Sequence, residues 1–105
     1  MRTPARGEVW LADFGMAGKI RPVLVISIPI VDSDRALITV VPHTTQRIGS
    51  VHEVDLPTRW LQPGAFNLQA IAPLPPPKFH RLLGTLNQTQ LAEIETALKR
   101  WEGLA

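Results

Sequence analysis

The sequence predicts a mainly β domain: a small, mostly antiparallel barrel with one C-terminal helix. Three observations carry this expectation. Short runs rich in β-branched and other apolar residues recur between proline and glycine breaks from Gly7 to Leu86. Helical periodicity occurs once, near the end of the chain, and no strand–helix–strand alternation calls for parallel crossovers. With 105 residues and 45% apolar content, the chain reads as a single domain, residues 1–105, able to bury a core without disulfides or metal; it contains no cysteine.

Residues 7–14 form the first strand, with Gly15 and Gly18 supplying the turn and Lys19 on the loop that follows. The partner strand, residues 22–28, is an almost unbroken apolar run, so both of its faces should be buried, and Pro29 closes it. Arg21 and Pro22 stand at the mouth of this run. A guanidinium there is either a solvated flank or a planar fork of donors for an anion such as phosphate, and the residues alone leave both open. After a polar turn at Asp32 to Arg35, residues 36–41 give a third strand that Pro42 should stop. His43, Thr44, Thr45, Gln46 and Arg47 follow directly, and five hydrogen-bonding side chains at a strand end exceed what a turn requires.

Residues 51–56 alternate apolar and polar, which predicts a half-exposed strand with His52 at the surface and Asp55 on the other face. Residues 57–64 form a connection with room for a short helical turn. Residues 65–71 read as another strand, with Asn67 and Gln69 projecting from one side as a pair of amides able to contact base edges. Four prolines in residues 72–77 remove donors and predict a stiff connector, and residues 78–86 read as a short strand with a basic patch. The helix is placed at about residues 88–102, because Leu91, Ile94, Leu98 and Trp101 recur at helical spacing. Asn87 or Thr89 can cap its start, and Gly103 suits its end.

The net charge of +2 is too mild for a strong non-specific polyanion binder. Its distribution is more informative: residues 1–90 carry nine bases against six acids, a modest basic face suited to a short nucleic acid and not to a long duplex. His43, His52 and His80 lack ligand spacing, so neither a metal nor another cofactor is expected. No apolar stretch reads as a signal peptide or membrane span, and a cytoplasmic protein without membrane contact is expected.

Four motifs, in order, resemble the MazF/PemK family of toxin ribonucleases from bacterial toxin–antitoxin pairs. They are Arg6-Gly7-Glu8-Val9-Trp10, Arg21-Pro22-Val23-Leu24-Val25-Ile26-Ser27, Val40-Val41-Pro42-His43-Thr44-Thr45 and Leu83-Gly84-Thr85-Leu86, and they span nearly the whole chain. The resemblance implies an SH3-like barrel of the MazF/PemK/CcdB kind, a homodimer, a cognate antitoxin protein that blocks the site, and metal-independent cleavage of single-stranded RNA. It also implies that Arg21 and Thr44 act in cleavage. Thr45 matches a neighbouring hydroxyl position, and Lys19, Gln46, Arg47, Asn67 and Gln69 complete the expected RNA-binding set.

Such cleavage suits these residue types, because RNA supplies its own 2′-hydroxyl and the protein has only to position it and stabilise phosphoryl charge. If Thr44 faces such a site, His43 beside it should not. Two departures stand out. The loop from Gly15 to Ile20 is shorter than is typical, and Ile71 replaces an arginine of the family's Q-x-R-T pattern, with no acid between Gly64 and Pro77. Two alternatives therefore stay open on the residues: a non-catalytic barrel toxin acting on a protein target, and an RNA-binding module that does not cut.

Overall fold

Alternation within the apolar runs sends neighbouring side chains to opposite faces of one sheet, and both faces are buried. The computed structural model describes residues 3–16 and 19–104; Gly18, expected to help turn the first loop, lies outside them. The elements are β1 (Glu8–Asp13), β2 (Ile20–Val25), β3 (Ile38–Thr44), β4 (Glu53–Val54), β5 (Ala65–Asn67), β6 (Ala72–Leu74), β7 (Phe79–Thr85) and α1 (Gln88–Glu102). The strands run in the order β4-β5-β3-β2-β1-β7, with β6 also on β3, and every pairing is antiparallel. The mainly β architecture with one terminal helix is as expected. Among the described residues no pairing joins β4 to β7, so the sheet is open where a closed barrel was expected.

Val9, Leu24 and Val41 point to one face, where they meet Phe66, Leu68 and Ile94 of α1. Trp10, Val23, Val25 and Val40 point to the other, with Ile38, Leu74 and Phe79. The apolar run of β2 is thus shared between two cores, as its lack of alternation predicts. It ends sooner than expected, at Val25, and Ile28 is exposed.

The helix occupies the expected residues. Asn87 Oδ1 accepts from the Gln90 backbone N–H at 2.8 Å while Gln90 Oε1 accepts from the Asn87 N–H at 2.9 Å, a reciprocal cap. Gly103 ends the helix in the left-handed region, at φ 71°. Ile94 and Ala97 are buried, and Leu91 and Leu98 pack beside them. Trp101 lies against the His52 ring at 4.9 Å, so His52 is half-buried and not the surface residue its alternating segment suggests.

Several segments depart from the expectation for physical reasons. Pro42 does not stop the third strand: β3 pairs with β6 through Val40 and with β5 from His43, leaving Pro42 where no strand on that side needs its missing N–H. The alternating run 51–56 holds only the two-residue β4, since Glu53 turns its carboxylate onto the backbone N–H groups of Ile48, Gly49 and Ser50. Residues 57–64 form turns without helix. The expected strand 65–71 breaks after Asn67 into a single 3-10 turn, Leu68–Ala70, because the Asn67 side chain accepts from the Gln69 N–H at 3.1 Å. Asn67 and Gln69 therefore do not form an amide pair on one strand face. The proline-rich connector is β6 on β3 followed by a 3-10 turn, Pro76–Lys78; Pro73 pairs with Thr39 where β6 has no other neighbour.

Candidate functional site

The β2–β3 ladder pairs Val25 with Val40, Leu24 with Val41 and Val23 with Pro42, then stops, although both strands continue. Pro22 and Pro42 stand at the stopping point, and neither has an N–H with which to extend it. Carried two residues further, the same register sets Arg21 opposite Thr44, on the face shared by Val23 and Pro42. A cleft of about 740 Å³ opens between these strand ends. Lys19, Ile20, Arg21 and Pro22 line one side, and His43, Thr44, Thr45 and Gln46 line the other. Leu11, Arg81 and Leu83 from β1 and β7 and residues 59–63 complete the wall.

The lining carries four cationic side chains, Lys19, Arg21, Arg59 and Arg81, and no carboxylate. None of the four is in an ion pair with the described residues, whereas Arg6 pairs with Glu95 and Arg47 with Asp55. Arg21 is half-buried, and its Nε donor is buried without an acceptor. Thr44 Oγ1 accepts from the Gln46 N–H at 3.0 Å, which fixes the hydroxyl; its closest acceptor, Gln46 O at 3.5 Å, is too distant to hold the proton firmly. An anion with several oxygens, such as a phosphodiester, matches this set of donors.

Two glycines admit the close contacts that build the wall. A Cβ on Gly64 would lie 2.1 Å from the Thr44 carbonyl oxygen and 2.8 Å from His43 Cε1, so only glycine lets this chain cross the end of β3. A Cβ on Gly84 would meet the Trp60 ring at 2.3 Å, so Gly84 lets the indole lie against β7 beside the cleft. His43 is only 6% exposed, and its ring stands edge-on to Phe66 with centroids 5.0 Å apart. Burial lowers its pKa from the ordinary 6.5; Asp55 pulls it up and Arg47 down. His43 and Thr44 both contribute to the cleft wall, contrary to the expectation from strict strand alternation.

Residues 5–101 match the family model of PemK-like, MazF-like toxins of type II toxin–antitoxin systems. The chain belongs to this toxin family. Its fold is similar to that of an endoribonuclease from a mycobacterial species in complex with its cognate antitoxin, at 25% identity over 97% of both chains and a TM-score of 0.82. A second mycobacterial endoribonuclease is 26% identical, over 99% of this chain and 95% of that one, with a TM-score of 0.80. MazF in the MazE–MazF complex from Deinococcus radiodurans shares the fold at 23% identity over the full length of both chains, with a TM-score of 0.82. Among curated proteins compared by sequence, none matches.

For this toxin-family chain, the structure gathers Arg21, Thr44, Lys19, Thr45 and Gln46 around one cleft. It does not bring Arg47, Asn67 or Gln69 to the lining: Arg47 Nη1 donates to Asp55 Oδ2 at 2.7 Å, Asn67 caps its 3-10 turn, and Gln69 is exposed beyond it. Ile71 is also off the cleft and packs against the core. Arg59, Trp60 and Arg81 are additions that the sequence reading did not assign to the site. Arg81 stood in the recognised basic patch, and Gly84 in the fourth motif was the signal for a close neighbour. Among the described residues no group of three or more His, Asp or Glu side chains could hold a metal ion, and no helix is long and apolar enough to cross a membrane.

Proposed function

We infer that this chain is an endoribonuclease toxin that cuts single-stranded RNA at short sequences and is neutralised by a cognate antitoxin protein. The observation that carries the reading is that Arg21 of β2 and Thr44 at the end of β3 line one cleft with four cations and no acid, in a member of a toxin family. The similar mycobacterial endoribonuclease is itself in complex with a cognate antitoxin.

In this reading the substrate's 2′-oxygen attacks the neighbouring phosphorus as the bond to the 5′-oxygen breaks, giving a cyclic phosphate and a free 5′-hydroxyl. Arg21 clamps the phosphoryl oxygens, on which charge builds up, through parallel hydrogen bonds, and Thr44 donates its hydroxyl to one of them. Arginine stays protonated at working pH, so it stabilises charge without moving a proton; the 2′-hydroxyl proton passes to water, and water protonates the departing 5′-oxygen. Lys19, Thr45 and Gln46 hold the flanking backbone. No step requires a metal. The reading extends to an SH3-like barrel for the open sheet, a homodimer testable by light scattering, and a cytoplasmic location.

The test is cleavage of a long single-stranded RNA with mapping of the new ends. Arg21→Ala is expected to lower the rate by about a hundredfold or more, the usual effect of losing one preorganised charge-stabilising donor. Thr44→Ala should also lower it. RNA left whole by the native protein, or cut equally well by Arg21→Ala, would reject the reading. Growth arrest that survives Arg21→Ala would point instead to a protein target.

A further inference from the structure

A second, smaller depression of about 130 Å³ adjoins the cationic cleft and shares His43, Leu61, Gln62 and Pro63 with it. Its chemistry is different. It carries the one carboxylate in either lining, Asp55, together with Thr58, whose hydroxyl is buried without a partner. Asp55 Oδ2 accepts from Arg47, while Oδ1 has no partner among the described residues. The Asp55–Arg47 pair carries no net charge, so nothing here attracts a phosphate as the four cleft cations do. A polyanion lying in the cleft can place here a neutral group that donates hydrogen bonds.

We propose that this side pocket receives one unstacked pyrimidine base of the RNA and that Asp55 selects cytosine over uracil. The proposal rests on the RNA-cleaving reading for its ligand and adds the source of base choice.

Size excludes a two-ring base, since the depression of about 130 Å³ is slightly smaller than the roughly 150 Å³ cavity that holds benzene, and a single pyrimidine ring enters it only in part, with the rest of the base left in solvent. Hydrogen-bond polarity makes the choice between pyrimidines. Cytosine presents an exocyclic amine where uracil presents a carbonyl oxygen, and an ionised carboxylate can only accept. Splayed single-stranded bases are read on this edge. The Gln62 amide is able to meet a remaining ring acceptor. The His43 wall stays neutral at pH 7, because burial lowers its pKa, and so adds no cation against the amine.

The test separates base choice from cutting by using 2′-O-methylated pentanucleotides, which lack the attacking hydroxyl. One is all uridine, and the other has a central cytidine. Fluorescence anisotropy with the native protein is expected to show about tenfold tighter binding of the cytidine pentamer, the scale of one good base contact. Asp55→Asn, which keeps the shape and can donate to a carbonyl, should bring the ratio to near one or invert it. Reading the ratio cancels any general gain in RNA affinity from an unpaired Arg47. Equal binding of the two pentamers by native protein, binding of neither, or a ratio unchanged in Asp55→Asn overturns the proposal. Cytidine preference without cleavage of ordinary RNA would uphold the pocket and reject the enzyme reading, and cleavage without preference would do the reverse.

Discussion

His43 joins the two halves of the site, its imidazole edge-on to Phe66 on the core side and its surface shared by cleft and side pocket. Burial disfavours its charged form in the folded chain, so the unfolded chain takes up this proton first as pH falls. The stability this provides is complete above about pH 6.5, the ordinary histidine value, and is lost as pH drops from there toward the lower folded pKa. Asp55 opposes the shift and Arg47 reinforces it, so both flank the titration. Urea unfolding at pH 7 and pH 5 should therefore show a larger loss for the native chain than for His43→Gln. Equal losses would mean that the ring is not held neutral. Arg21 was legible as a cation beside Pro22 at the mouth of an apolar run, and Thr44 as part of a polar cluster at a strand end; the resemblance of the surrounding motifs is what singled out the two together. Arg59, Trp60 and Arg81 were not, because only tertiary packing brings them to the cleft.

At the level of elements, legibility follows the source of each conformation. The helix was readable to within a residue because its signals are local: an apolar stripe, a reciprocal cap at Asn87 and a left-handed Gly103. Strand ends were not, because they depend on partners; β3 runs through Pro42 since no neighbour there needs a donor, and β5 stops when Asn67 takes a backbone N–H. The same dependence makes Gly64 the most sensitive point of the site. A methyl group there meets the Thr44 carbonyl, a backbone atom that cannot move without shifting β3 itself. Gly64→Ala is expected to cost about 3 kcal/mol, at the upper end of ordinary overpacking, read as a lowered urea midpoint at pH 7. A midpoint within error of the native value would contradict the close crossing.

Across the whole molecule, a net charge of +2 conceals a separation of charge. Arg6 and Arg47 are neutralised by carboxylates, while Lys19, Arg21, Arg59 and Arg81 face one cleft without an acid. Arg21 and Arg81 stand on β2 and β7, which also contribute to the buried cores, while Lys19 and Arg59 stand on the connections beside them, so the folded sheet holds the four together against their mutual repulsion. Binding of single-stranded RNA should therefore depend on salt according to the four cleft cations and not the net charge. Releasing counterions from four phosphates gives a slope of log K against log salt of about −2.8 for a single strand. Replacing Arg59 and Arg81 together by alanine should bring it to about −1.4. Titrating a 2′-O-methylated RNA at several salt concentrations measures both slopes. A native slope near zero, or one unchanged in the double variant, would show that phosphate does not lie along this cleft.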